Sequence, residues 1–310
     1  MNGISDNTRK TYVSGWKVYC LFCQQTGINV FPITEYYLQM FVSSAAMRLS
    51  YATMKTYLCG VRHYCLMAGM DIDLKNMEGL KVVMRGIKRQ QGRDRIRAKR
   101  QPIEIEHLLR ISNRLRGTLN MDDFYMIMAA LTLGFFGLLR SAEFTADTKS
   151  KIDRSITLTR RDISFNVDCT CMSVNIKVSK TDPFREGTVI TLPKLNNILC
   201  PVRAMVRYLK HAAMNGPLFQ FRNGVFLTRQ HIAYIFKQFL DREVNLNTHS
   251  LRIGGATQLS KAGVPEHIIQ KIGRWSSDCY TKYVRLTPQH IYAAYFSVGQ
   301  HMDIRDGVGS

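Results

Sequence analysis

The sequence has few acidic side chains, and this shortage is its most unusual compositional feature. Its 310 residues include 23 Asp and Glu against 43 Lys and Arg, which leaves a formal net charge of +20. Such an excess implies a polyanionic partner, with nucleic acid favoured over an anionic membrane surface. At this length we expect two domains.

Long apolar segments are also missing. The longest runs from Phe124 to Leu139 and contains Gly134 and Gly137, and it is shorter than the ~20 residues that span a bilayer. We interpret it as a buried core helix and expect no membrane partner. The first residues lack the apolar stretch of a secretory signal, so we do not expect secretion.

The eight cysteines lack the paired spacings of a small disulfide-bonded domain, which favours a reducing compartment. Cys20 and Cys23 form a CxxC pair that Cys59, His63 and Cys65 could complete as a metal site. Because the second group lacks the usual zinc-ligand spacing, we favour buried small side chains and predict no metal.

Apolar residues recur at helical spacing in the first part of the chain. Four such stripes predict an all-α bundle over residues 1–87, in which Thr34 can cap the second helix. A basic linker is predicted over 88–102, because nine basic residues and one acidic residue lie between Lys81 and Arg100. A solvated charge run or a nuclear import signal would have the same composition. The candidate DNA-binding residues are Lys81, Arg85, Lys88, Arg89, Arg93, Arg95, Arg97, Lys99 and Arg100.

The pattern changes over 103–310. Alternating residues over 155–165, 172–179 and 188–192 predict a three-stranded antiparallel sheet with a turn at 181–187. The fold class is therefore predicted as α+β overall, with an all-α bundle followed by a mainly helical domain that carries one small sheet. Helices of this domain are predicted at 105–115 and 124–139, from Pro201, and at 229–240, 250–261, 265–272, 278–284 and 288–296.

Arg140 ends the most apolar predicted helix. A guanidinium keeps its proton, and burying one without an anion is very costly. Glu143 would share its helical face if the helix continues, and a phosphate could supply a second anion. A structural Arg–Glu pair would explain the same two residues.

His249 and Arg252 place a proton carrier and a fixed cation one helical turn apart. Thr248 could cap their helix, whose N-terminus favours an anion. Gly254 and Gly255 would let another backbone approach closely. An ordinary helix start with a polar cap would show the same pattern.

Lys180, at the end of a strand, could act as a point charge and proton donor, with Lys177 as the alternative on the opposite face. Trp275 could donate its indole N–H, although a lone tryptophan usually packs in a core. Tyr283 and Tyr280 lie one turn apart. A phenol with a pKa of ~10 attacks phosphorus only if its proton is accepted and cations stabilise the phenolate.

The order of these motifs resembles the tyrosine recombinase (phage integrase-like) family over nearly the full chain. The Gly-Arg-Trp-Ser-Ser and Ser-Lys-Thr-Asp-Pro-Phe runs most resemble recombinases of eukaryotic DIRS and Ngaro retrotransposons or cryptons. One spacing departs from the pattern: bacterial and phage members commonly place the tyrosine nine positions after a His or Trp, whereas Tyr283 is eight and Tyr280 five after Trp275. The matching segments are Gly-Leu-Leu-Arg140-Ser-Ala-Glu143, Ser-Lys180-Thr-Asp, His249-Ser-Leu-Arg252, Gly273-Arg-Trp275 and Tyr283-Val-Arg285.

The resemblance implies a site-specific recombinase that cleaves and rejoins double-stranded DNA through a 3′-phosphotyrosine, for integration or excision of a transposable element. A SAM-like core-binding bundle and a catalytic domain would clamp the duplex. Tyr283 would be the nucleophile, with Tyr280 as its rival. The other implied roles are phosphate binding by Arg140 and Arg252, protonation of the leaving oxygen by Lys180, proton transfer by His249, phosphate or tyrosine support by Trp275, and orientation of the first arginine by Glu143.

The resemblance also implies a homo-oligomer on DNA, dimer to tetramer, assembled by exchange of the C-terminal helix, although that helix could equally pack on its own domain. No cofactor is expected, because the phosphotyrosine retains the bond energy. The nucleus is the expected location in a eukaryote and the cytoplasm otherwise. The alternatives are a domesticated, non-catalytic DNA-binding protein and a type IB topoisomerase.

Overall fold

The computed structural model describes residues 4–94, 100–178, 182, 186–240, 245–276 and 281. The chain forms two compact units, 1–98 and 99–310, and each has its own buried core. In these ranges no helix is both long enough and apolar enough to cross a membrane.

The first unit consists of helices that bury one apolar face each. The predicted cap of the second helix is confirmed, since Oγ1 of Thr34 accepts the N–H of Tyr37 at 3.2 Å. The fourth helix extends through residues 88–94 of the predicted linker. Its Gln91 amide donates to the carbonyls of Ala46 and Leu49, which joins it to the turn before the third helix. The helices are α1 (Asp6–Thr26), α2 (Glu35–Ala45), α3 (Tyr51–Met67) and α4 (Glu78–Asp94).

Two of the four cysteines of this unit pack in its core. Cys23 and Cys65 are buried in its core, while Cys20 is half-buried and Cys59 is exposed. Within the described ranges no group of three or more His, Cys, Asp or Glu side chains is placed to hold a metal ion.

The second unit combines helices with one small sheet, so the predicted α+β fold is confirmed. The strands β1 (Ile163–Phe165), β2 (Cys171–Ile176) and β3 (Thr188–Pro193) pair antiparallel in that order. The helices are α5 (Ile105–Arg116), α6 (Met121–Phe136), α7 (Ser141–Phe144), α8 (Pro201–Leu209), α9 (Arg229–Phe239), α10 (Thr248–Lys261) and α11 (Glu266–Gly273). The predicted helices at 278–284 and 288–296 lie outside the described residues.

Two local predictions were wrong. Residues 155–162 are not part of the first strand, because Asp153 and Asp162 accept backbone N–H groups of nearby residues and hold the segment in turns. Thr248 does not cap α10: Asn247 does, with its Oδ1 accepting the N–H of His249 at 2.9 Å.

The two glycines of α10 set how closely other segments approach it, as predicted. A Cβ on Gly254 would collide with the carbonyl of Ile103, and one on Gly255 with the carbonyl of Phe135 in α6. The helices α6 and α10 therefore meet through backbone atoms. This contact fixes the end of α6 relative to the middle of α10.

We expect Gly255→Ala to destabilise the second unit by about 1–3 kcal/mol, because the added methyl forces the two helices apart. Gly86→Ala is the matched control, since Gly86 lies inside α4 with no atom within 4 Å of the added Cβ. That change should be neutral or stabilising by up to ~1 kcal/mol. Thermal unfolding of the full chain measures both, and equal effects of the two changes would contradict this account.

Candidate active site

Arg140 lies in a sharp turn between two helices and not at the end of one continuous helix. Helix α6 ends at Phe136, and Leu138 adopts a left-handed conformation with φ 48°. Arg140 is then the N-cap residue of the short α7. The expectation that Glu143 would meet Arg140 on a continuing helix was therefore wrong, and the two residues meet through the turn.

Glu143 is buried and binds two arginines. Its Oε2 accepts the backbone N–H of Arg140 at 2.8 Å, and its Oε1 lies 3.2 Å from Nη1 of the same residue. The guanidinium of Arg274 approaches Oε2 at 2.9 Å. The Arg140 side chain keeps 20% of its surface exposed.

Arg252 is wholly buried, which is rare for an arginine. Its Nη1 donates to the carbonyl oxygen of Leu138 and its Nη2 to that of Gly273. The guanidinium also lies over the Trp275 ring, 4.2 Å from the ring centroid, in a cation–π contact. These are dipolar partners that hydrogen-bond the guanidinium without neutralising its charge.

The segment Gly273-Arg274-Trp275 joins these groups. The Trp275 ring lies against Gly273, where any Cβ would collide with it. Trp275 is itself buried, with Leu138, Ala256 and Ile269 in a small apolar cluster. Arg274 ends α11 in the left-handed conformation, with φ 56°, and its side chain runs back to Glu143.

His249 lies among positive charges. Burial first, and then the positive charges of Arg100, Arg252 and Arg140, lower its pKa to about 4. Arg100 precedes Gln101, whose backbone N–H donates to the carbonyl oxygen of Asn245, just before α10. His249 is therefore a neutral imidazole at pH 7, able to accept a proton.

We call Arg140, Glu143, Arg252 and Arg274 the arginine network. It combines three guanidiniums with one carboxylate, and Arg100 adds a fourth positive charge near His249. Positive side chains clustered in this way attract an anion. The network therefore has the electrostatic character of an anion site.

The structure describes one of the two candidate lysines. Lys177 pairs with the buried Asp162 at 2.8 Å and donates to the carbonyls of Arg154 and Thr157, which gives it a structural role. Lys180, Tyr280 and Tyr283 lie outside the described residues. The site is thus described for Arg140, Glu143, His249, Arg252 and Trp275.

Part of the basic segment lies on the solvent face of α4. Lys81, Arg85, Lys88 and Arg89 are all exposed, opposite the buried apolar residues of that helix. Lys81 pairs with Glu78 at 2.6 Å and Lys88 lies over the Tyr51 ring. The side chains of Arg93, Arg95, Arg97 and Lys99 are outside the described part of the chain.

Arg274 was missed by the sequence reasoning, which assigned the chemistry of this segment to Trp275. The sequence did contain one indication: Arg274 stands between Gly273 and Trp275, inside a motif that was already assigned to the site. Which side chain faces Glu143 depends on the left-handed turn at Arg274, and that turn is a tertiary feature.

Solved structures of a site-specific recombinase and of two integrases share this fold. The XerH site-specific recombinase, solved as a post-cleavage complex with a palindromic difH substrate, aligns with a TM-score of 0.64 at 18% identity, over 92% of this chain and 78% of its own. The Tn1549 transposon integrase in complex with transposon right end DNA gives 0.62 at 16% identity, over 96% and 95%. A lambda integrase dimer bound to a COC′ core site gives 0.59 at 13% identity, over 92% and 73%. No family model matches the chain, and no curated protein gives a significant match.

We expect His249 to make the second unit acid-sensitive. The unfolded chain takes up a proton near pH 6.5, whereas the folded His249 does so only near pH 4. Between these values the unfolded state binds more protons, so stability falls as pH falls and is unaffected by His249 above about pH 7. His249→Asn should flatten this loss in unfolding experiments from pH 7 to pH 4.5.

His211→Asn serves as the control, because His211 is an exposed histidine of the same unit. The account fails if the His249 variant loses as much stability on acidification as the unmodified chain and the His211 variant do.

Proposed function

We propose that the chain is a site-specific DNA recombinase that cuts and rejoins a phosphodiester through a covalent tyrosine bond. The observation that carries this proposal is the arginine network: Arg140 and Arg252 converge on one turn with Glu143, and a neutral His249 lies beside them. The fold shared with XerH, the Tn1549 integrase and the lambda integrase supports it, since those proteins were solved on DNA.

The electrostatics of the network suit a phosphodiester. Phosphorus gains negative charge on its equatorial oxygens when it becomes five-coordinate, and fixed cations stabilise that charge more than the ground state. Arg140 would bind a non-bridging oxygen through the exposed part of its side chain. Arg252 would act from beneath, where the carbonyls of Leu138 and Gly273 hold its guanidinium.

The proposed reaction is a balanced exchange of esters. The Tyr283 oxygen attacks phosphorus and its proton passes to a base, for which neutral His249 is suited. The bond to the 5′-oxygen breaks, and Lys180 donates a proton to that oxygen. The 5′-hydroxyl of a new partner strand later attacks the 3′-phosphotyrosine and releases the tyrosine.

The position of Arg274 bears on which tyrosine attacks. Arg274 approaches the Glu143 carboxylate that also holds Arg140. Counted from Arg274, Tyr283 lies nine positions on and Tyr280 six. The nine-residue spacing common in bacterial and phage recombinases is then met by Tyr283, which supports it over Tyr280.

The wider assignment rests on the sequence motifs. We propose action on a mobile element of the DIRS, Ngaro or crypton type, with duplex DNA clamped between the two domains. We further propose assembly as a dimer to tetramer on DNA through the C-terminal helix. The place of action would be the nucleus of a eukaryotic host, or the cytoplasm otherwise.

Covalent capture of DNA tests the proposed reaction. The full chain is incubated with a pool of random-sequence nicked duplexes, and adducts that survive denaturant are recovered and sequenced. We expect an enriched target sequence from the unmodified chain and complete loss of adduct from Tyr283→Phe, because phenylalanine has no nucleophilic oxygen.

Tyr280→Phe is the matched control and should keep the adduct. Loss in Tyr280→Phe with retention in Tyr283→Phe would reverse the nucleophile assignment. Binding without any adduct would contradict the proposal in favour of a non-catalytic protein. Relaxation of supercoiled plasmid by a monomer, without strand exchange, would contradict it in favour of a topoisomerase.

We expect Lys180→Ala to slow cleavage by on the order of 10²–10⁴-fold, because the leaving oxygen loses its proton donor. A substrate with sulfur at the 5′-bridging position should restore the rate, since a thiolate leaves without a proton. Lys177→Ala is the control and should lower stability, by leaving the buried Asp162 without its described ion pair, while cleavage is retained. A rate loss in Lys177→Ala that sulfur restores would contradict this assignment.

A further inference from the structure

Arg274 shares an acceptor with each of the two arginines assigned to the phosphate. It binds Glu143, which also holds Arg140. Its Nη2 lies 3.3 Å from the carbonyl oxygen of Leu138, the same oxygen that accepts from Arg252. Its Nη1 donates to the carbonyl of Gly137 at 3.3 Å. One side chain therefore connects Arg140, Arg252 and the turn between α6 and α7.

The backbone conformation at Arg274 is a second sign that the placement of its side chain matters. The residue that ends a helix in the left-handed conformation is usually glycine, because a Cβ is disfavoured there. Here an arginine adopts it, with φ 56° and ψ 46°. A conformation of this kind persists only where surrounding contacts over-determine it, and such sites cluster in functional regions. At Arg274, the contacts with Glu143, Gly137 and Leu138 hold this conformation in place.

Arg274 is too deeply buried to act as a surface contact with DNA. Only 6% of its side chain is exposed, against 20% for Arg140. Burial lowers the pKa of Arg274, with Arg140 acting in the same direction and Glu143 opposing both. Its charge thus acts mainly on the groups around it.

The shared carboxylate has an electrostatic consequence for Arg140. If Glu143 paired with Arg140 alone, its charge would neutralise that guanidinium and weaken its attraction for phosphate. Because Arg274 takes part of the same carboxylate, Arg140 keeps excess positive charge while Glu143 holds its orientation. Replacing Arg274 by a neutral residue would remove both effects at once.

We infer that Arg274 is a positioning residue for DNA cleavage, which acts through Glu143 to orient Arg140 and keep its charge available to the phosphate. This inference rests on the proposed function. It predicts coupling between Arg274 and Glu143, which a residue that only stabilised the fold would not show. A double-mutant cycle measures that coupling directly.

The experiment compares Arg274→Gln, Glu143→Gln and the double variant in single-turnover adduct formation, on the nicked duplex recovered by covalent capture. We expect Arg274→Gln to slow the reaction by on the order of 100-fold, the size expected from a misplaced catalytic group. The double variant should be no slower than the slower of the two single variants. DNA affinity should stay within about twofold, because surface phosphate contacts dominate it.

Arg160→Gln is the matched control, since Arg160 is also partly buried and donates to two backbone carbonyls, those of Leu209 and Ala212, away from the network. It should cleave at the unmodified rate. If Arg274→Gln does not fold, as judged by thermal unfolding, Arg274→Lys replaces it in the same cycle. Lysine keeps the charge but lacks the planar fork that holds Glu143 and the carbonyls together.

Each outcome decides a separate point. A rate for the Arg274 variant equal to that of the Arg160 control would overturn the inference and leave the proposed function standing. Losses that multiply in the double variant would also overturn it, because Arg274 would then act independently of Glu143. Absence of any adduct from the unmodified chain would overturn the proposed function itself.

Discussion

Within the described residues, the site depends on one constraint: the guanidiniums of Arg140, Arg252 and Arg274 gather around the carboxylate of Glu143 and the turn before α7. Glu143 binds Arg140 and Arg274, and the Leu138 carbonyl accepts from Arg252 and Arg274. Carbonyl dipoles and the Trp275 ring stabilise the guanidinium of Arg252. Clustered positive side chains attract an anion. Burial first, and the charges of Arg100, Arg252 and Arg140 after it, lower the pKa of His249 and keep it neutral.

The backbone around the network serves this arrangement. The left-handed residue Leu138 ends α6 so that its carbonyl is available to both buried guanidiniums. Gly255 lets α10 approach that turn, and Gly273 admits the Trp275 ring beside Arg252. Each of these features costs some local conformational freedom or introduces local strain. Together they hold the arginine side chains in place before a ligand binds. Such preorganisation is what electrostatic catalysis requires.

The sequence allowed the α+β fold and most helices to be predicted, because amphipathic stripes and the Thr34 cap are local signals. It also placed Arg140, His249 and Arg252 in one site through the order of their motifs. It could not show that α6 stops at Phe136 or that Asn247 replaces Thr248 as the cap, since close alternatives compete within a residue or two. Arg274 escaped notice because its role depends on a left-handed turn and on a distant carboxylate.

The most direct test of the central claim is the pKa of His249, measured by NMR in the Tyr283→Phe chain with and without a nicked duplex. The account predicts a pKa near 4 in the free chain, held down by burial and by Arg100, Arg252 and Arg140. Bound phosphate should raise it towards the usual histidine range, because the anion compensates these charges. A pKa that does not change on saturation with DNA would contradict the claim that the arginine network binds the phosphate.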